Sequence, residues 1–186
     1  MARSRTSRGR PQPITPAVAP PSAPTLVSAT SPRVWQSVGY QSLSDGTPLR
    51  LIFDFAAVPW PDAEPCFAWA ASAQDTRDVI GGLVAERDGD AAILWGPVVV
   101  GETAAAVARD GLEVAAQLVA AALDHARALG IRTVYARPQG LDRIWVRFGF
   151  IPVPESTLPP GLTGRPGAGL FAWRGGSALW TLRESS

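Results

Sequence analysis

IRTVYARPQGLDRIWVRFGF, residues 131 to 150, carries the order of elements that decides the fold. The apolar TVYA (133–136) suits a short buried strand and ARPQG a loop. LDRIWVRF suits one or two helical turns with Leu141, Ile144, Trp145 and Phe148 inward. Gly149 then supplies a left-handed cap, and Phe150 and Ile151 lead back to a sheet. Just upstream, the run from about Leu112 to Leu129 sets Leu112, Ala115, Leu118, Val119, Ala122, Leu123, Ala126 and Leu129 on one helical face. Gly130 stops that helix.

Working outward, CFAWAASA (66–73), VIGGLVAER (79–87) and AAILWGPVVV (91–100) are three apolar runs separated by polar turns. Arg87-Asp88-Gly89-Asp90 reads as the hairpin between the last two, so the runs predict an antiparallel meander. RVWQSVGYQSL (33–43) alternates like one half-buried strand and ends at Ser44-Asp45-Gly46. LIFDFAAV (51–58) reads as a short helix or a strand, and Pro59, Pro61 and Pro65 forbid its continuation. Past a Pro/Gly-rich loop from Pro152 to Gly169, GLFAWRG and SALWTLR predict a last hairpin across Gly175-Gly176. A meander followed by helix and strand implies an α/β (α+β) class: a mixed, mostly antiparallel sheet flanked by helices.

The chain has 186 residues, 46% of them apolar, which suits one domain with a substantial core. Residues 1 to 44 carry five Arg and no acid; the rest carries twelve Arg against sixteen acids. Residues 1–32, rich in Pro, Ser, Thr and Ala, are expected to be a disordered basic tail, and 33–186 the folded domain. That tail is an expected solvated extension, with a nucleic-acid contact as its functional alternative. No apolar stretch is long enough for a membrane span. Cys66 is the single cysteine, which excludes an internal disulfide, fits a cytoplasmic setting, and suggests a small buried filler. All basic side chains are Arg, as in a high-GC bacterial composition. His125 is expected at the helix surface.

The chain resembles the GCN5-related N-acetyltransferase family over roughly residues 33 to 186. VIGGLVAERDGDAAILWGPVVV looks like that family's central hairpin, GLEVAAQLVAAALDHARALG like its cofactor-binding helix, TVYARP like the next strand, and WVRFGF like its Tyr-x-x-x-Gly-Phe ending. The resemblance implies splayed central strands, acetyl-coenzyme A as cosubstrate, and a small-molecule or peptide amine as acceptor. It places the pantetheine arm on the backbone of Val98, Val99 and Val100, beside a bulge favoured by Pro97. It places the pyrophosphate on the following helix start, at Arg109, Asp110, Gly111, Leu112, Glu113, Val114 and Ala115.

That block departs from the family's Arg/Gln-x-x-Gly-x-Gly/Ala pattern, because Asp110 falls on the Arg/Gln, Glu113 on the central Gly, and only Ala115 is kept. Asp110-Gly111-Leu112-Glu113 equally reads as a capping box, with Asp110 accepting from helix N–H groups and Glu113 reaching back to the cap. Two carboxylates beside a diphosphate repel it by roughly 1 kcal/mol each at a partly solvated site. A third alternative starts the helix near Thr103, moving the anion site to Gly101-Glu102-Thr103. The family's acid, a Tyr, falls on Trp145, whose indole holds its proton near neutral pH. Glu86 and Glu102 are the remaining candidate bases, and Gln139 stands near the family's Asn. Some of the seven Trp are candidates for an aromatic acceptor pocket. A non-catalytic binding domain of the same fold is the alternative reading, and the oligomeric state stays open.

Overall fold

The computed structural model describes residues 25–100, 110–164 and 178–183. Its first half comprises α1 (Leu26–Thr30), β1 (Arg33–Trp35), β2 (Val38–Leu43), a 3-10 turn at Thr47–Leu49, α2 (Arg50–Phe55), β3 (Phe67–Ala73), β4 (Val79–Asp88) and β5 (Ala91–Val99). Then follow α3 (Gly111–Ala128), β6 (Thr133–Ala136), α4 (Asp142–Arg147), β7 (Ile151–Pro152), 3-10 turns at Glu155–Thr157 and Pro160–Leu162, and β8 (Trp180–Arg183). The described strands form one sheet in the order β1-β2-β3-β4-β5-β6-β8-β7. Every pairing is antiparallel except β5 with β6, the two strands that α3 connects.

Core forms on both faces of this sheet, which is why β3, β4 and β5 read as near-continuous apolar runs. Side chains alternate across the pleat. Leu83, Ala85 and Leu94 therefore join Leu118, Val119 and Trp145 on the α3 face, while Val84, Ile93 and Trp95 join Leu49, Phe53 and Leu162 on the α2 face. Each large side chain buried in this way contributes roughly 1.5–3 kcal/mol against exposure. Gly82 leaves room for the end of the Leu49 side chain, since a Cβ there would lie 2.7 Å from a Leu49 methyl and would make that side chain shift.

Several expectations need correction. RVWQSVGYQSL forms two strands, not one, because Gln36 and Ser37 take positive φ (44° and 61°) and turn β1 back onto β2. The folded part begins before Arg33: Thr25 caps α1, and the buried Ala29 packs that helix against α3. The rest of the expected tail, residues 1–24, lies outside the described residues, as does GLFAWRG of the expected last hairpin; SALWTLR supplies β8, which pairs with β6 and β7. LIFDFAAV is helical through Phe55. Ala57 then reverses the chain at φ 53°, with the Val58 N–H donating to the Phe53 carbonyl at 3.0 Å. Cys66 lies exposed at the entry to β3, not buried.

His125 is buried, not on the surface. It stacks on Phe67 with ring centroids 4.4 Å apart, and its Nδ1 accepts a 3.3 Å hydrogen bond from Trp69 Nε1. Burial pushes its pKa down from 6.5. The chain after β7 is strapped across the α2 face: Tyr135 donates to the Thr157 carbonyl (2.6 Å), Arg137 forms a two-point pair with Glu155 (one contact 2.8 Å), and the Gly161 N–H donates to Asp88 (3.0 Å). Among the described residues no helix is long and apolar enough to cross a membrane, and no cluster of His, Cys, Asp and Glu suits a metal ion.

Candidate functional site

The parallel pairing of β5 with β6 runs only from Ala91↔Thr133 to Leu94↔Ala136. Beyond Leu94 the two strands part, while β5 stays paired to β4. There Gly96 and Pro97 lie opposite the single residue Leu83, since the register steps from Val84↔Trp95 to Gly82↔Val98. This two-against-one count is a β-bulge, and it bends β5 away from β6. Gly96 takes φ 92° at the bend, where a Cβ would meet the Val98 N at 2.9 Å and the Gly82 carbonyl oxygen at 3.0 Å. The wedge thus arises from Pro97, which cannot donate to a ladder, next to a glycine that permits the turn.

Ladder alternation fixes which backbone groups face the opening. The Val100 N–H donates to the Ile80 carbonyl at 2.8 Å, so the β4 side is taken by the amides of Val100 and Val98. The N–H and C=O of Val99, one step out of phase, face the wedge. The opening leads into a cavity of about 610 Å³. Gly96, Pro97, Val98, Val99 and Val100 form its β5 wall, Ile80 belongs to β4, and Ala56 and Val58 follow α2. Asp110, Gly111, Leu112, Val114 and Ala115 come from the start of α3, and Pro138, Gln139 and Leu141 from the loop leading into α4. Val58, Val98 and Val100 pack with the α2-face core, whereas Val99, Val114, Ala115 and Leu141 pack with the α3-face core. The cavity therefore passes through the sheet and joins its two sides.

Eight of the ten residues expected to hold a cofactor line this one space: Val98, Val99, Val100, Asp110, Gly111, Leu112, Val114 and Ala115. Glu113 does not. It turns to Arg147 (2.8 Å) and Gln117 (3.0 Å) on the outside of α3, and the Arg147 hydrogen bond, then that of Gln117, lowers its pKa. Only half of the expected capping box forms as a result: Asp110 Oδ1 accepts from the Leu112 N–H at 3.0 Å, and Glu113 does not reach back. The helix starts at Gly111 after an extended Asp110, so it does not run up from Thr103. Arg109, Glu102, Gly101 and Thr103 lie outside the described residues.

Trp145 and Glu86, the described candidates for acid and base, do not line the cavity. Trp145 is fully buried on the α3 face, edge-on to Phe150 at 4.8 Å, because α4 presents Ile144 and Trp145 to the core. Glu86 is buried four residues beyond Gly82 on β4, about 13 Å along a strand rising ~3.3 Å per residue, and its Oε2 accepts from Trp95 Nε1 at 3.1 Å. Trp35, Trp60, Trp69, Trp95, Trp145 and Trp180 do not line this cavity; Trp173 lies outside the described residues. Sequence reasoning missed Ala56, Val58, Ile80 and Pro138 as wall residues. The signal for Ala56 and Val58 was the run of prolines after them, which forces a chain reversal near the sheet.

Solved structures share the fold. N-acetylglutamate synthase from Neisseria gonorrhoeae, complexed with coenzyme A and N-acetyl-glutamate, superposes with a TM-score of 0.56 at 16% identity, over 80% of this chain and 35% of that one. An acetyltransferase from Streptococcus agalactiae gives 0.50 at 12% identity over 81% and 100% of the two chains. Escherichia coli ElaA gives 0.50 at 19% over 79% and 99%. The fold is that of the GCN5-related N-acetyltransferases. The chain spans about a third of the length of the synthase. No protein-family model and no curated protein matches the chain. In this chain the parting of β5 from β6 lies near the middle of the described sheet, with α3 beginning at the mouth: a Cβ on Gly111 would lie 3.8 Å from Val99 Cγ1.

Proposed function

We propose that the protein is an acyl-coenzyme A-dependent N-acyltransferase, with acetyl-coenzyme A as cosubstrate and a small-molecule or peptide amine as acceptor. The observation that carries this reading is the cavity that crosses the sheet at the wedge, because it lets two reactants meet from opposite faces beside one exposed peptide group. The residues present fit a pantetheine arm. Val99 offers one N–H and one C=O at strand spacing, as an added strand would require, and Val98, Val114 and Leu141 give the arm apolar walls. At the helix start the fit is poorer, since Asp110 holds the Leu112 N–H and sets a carboxylate where a diphosphate would lie. Arg109 is the residue we assign to offset that charge.

A bound acyl-coenzyme A supplies a thioester: the amine nitrogen bonds to its carbonyl carbon, the C–S bond breaks, and one amine proton ends on sulfur through water. Val98 and Pro97 wall the wedge, and the walls align the reactants, which by itself supplies several kcal/mol of a bimolecular barrier. Asp110 is the one ionisable side chain among the described lining residues, so positioning rather than a dedicated acid sets the rate. The test is free-thiol release from acetyl-coenzyme A in the presence of an amine mixture, with calorimetry on acetyl-coenzyme A and on acetyl-pantetheine. Binding with thiol release supports the proposal. Binding without release supports a ligand-binding domain, the reading favoured by the withdrawal of Trp145 into the core. Absence of binding to either compound removes the proposal.

A further inference from the structure

The two ends of the cavity differ chemically. The α3 end carries Asp110 and the helix start. The α2 end is formed by Ala56, Val58, Gly96, Pro97 and Val98, and none of these described lining residues ionises. Beneath them lies more apolar material: a Cβ on Gly96 would sit 3.4 Å from the Phe53 ring, and Phe53 meets Trp60 edge-on at 5.1 Å. A carboxylate or a second ammonium on the acceptor would lose water here with no counter-charge among the described lining residues, which is unfavourable.

The same lining bears on the reacting nitrogen. An ammonium entering an uncharged, apolar end is pushed towards its neutral form, and a strongly basic amine resists that change in proportion to its basicity. We infer that the acceptor is a weakly basic amine on an uncharged, apolar body, of the aromatic-amine class, which arrives already neutral and needs no side-chain base. This rests on the acyltransferase reading above and goes beyond it by naming the acceptor class. It also separates this chain from one that acts on an amino-acid dicarboxylate, for which the described lining of the α2 end offers no cation; Arg50 of α2, outside that lining, lies over the Trp60 ring at 6.0 Å.

The experiment uses the full chain, acetyl-coenzyme A, and three acceptors: aniline, benzylamine and glutamate. Thiol release is followed across neutral to alkaline pH. We expect kcat/KM for aniline at neutral pH to exceed that for benzylamine by about tenfold or more, the factor that one pK unit of differential interaction represents. The gap should close as benzylamine loses its proton, and glutamate should give background rates. Ala56→Asp, at an exposed wall position, should move the preference towards benzylamine by placing a counter-charge at this end. Val58→Asp is the second variant. Glutamate or benzylamine outpacing aniline at neutral pH overturns the inference, as does an unchanged preference in both folded variants. Acetyl-coenzyme A binding in calorimetry separates this failure from failure of the acyltransferase reading, which predicts binding whatever the acceptor.

Discussion

Gly96→Ala tests the bend that opens the wedge. Two effects add at this position: a non-glycine residue at φ 92° is strained, and the new Cβ meets backbone atoms at 2.9 Å and 3.0 Å that cannot swing aside. Left-handed backbone costs roughly 1–2 kcal/mol for a residue with a Cβ. Overpacking against a fixed wall adds roughly 1–3 kcal/mol, so the sum is about 2–5 kcal/mol. Gly89→Ala is the matched control, because Gly89 also has positive φ (59°) but a Cβ there finds nothing within 4 Å. It carries only the conformational part, about 1–2 kcal/mol. At roughly 2–4 °C per kcal/mol for a chain of this size, the control should lose about 2–8 °C and Gly96→Ala clearly more. Urea unfolding followed by tryptophan fluorescence gives both values in parallel. Equal losses in the two variants would refute the close approach at the bulge, and with it the physical origin of the wedge.

Ala57→Gly should stabilise the protein by up to about 1 kcal/mol, since relief of strain at φ 53° outweighs the added freedom of the unfolded chain; a loss in thermal midpoint contradicts the reversal described after α2. The single histidine has a folded pKa below 6.5, so the unfolded chain binds its proton first, and stability should be flat above about 6.5 and fall as pH drops towards the folded value. His125→Gln should flatten that decline, and thermal midpoints measured through this range in both proteins decide the point. Glu155→Gln removes half of the pair with the buried Arg137 and should cost about 1–3 kcal/mol, reduced from the full buried-pair figure because Glu155 is 53% exposed; a change below a few tenths would make the strap dispensable.

Where the argument was local, the chain could be read directly. Apolar spacing from Leu112 to Leu129 matched α3 within a residue of its bounds, and Pro97 marked the bulge because a residue without an N–H cannot continue a ladder. What escaped was set by partners far away in sequence. His125 looked like a surface residue beside Asp124 and Arg127, yet Trp69, 56 positions earlier, and Phe67 draw it inside. Glu113 looked like half of a capping box until Arg147, 34 positions later, claimed its carboxylate. The turn at Gln36-Ser37 was missed because neither residue advertises positive φ, so the alternation ran through it unbroken. Trp145 stood at the expected place in its motif, but motif position does not settle which way a short helix rolls.

One property of Val99 reaches beyond any ligand. A residue in the middle of a broad sheet ordinarily has its amide locked against solvent, and only the outermost strands offer theirs. Val99 is an internal seam: it lies five residues beyond the last β5–β6 pair, Leu94↔Ala136, with one amide and one carbonyl turned outward. Deuterium uptake at that amide should be fast while its neighbours on β4 stay protected, and any extended polypeptide with a free strand edge meets a ready docking rail there. The described sheet therefore has an open strand position at its centre as well as at its rim, and filling the seam is what closes it.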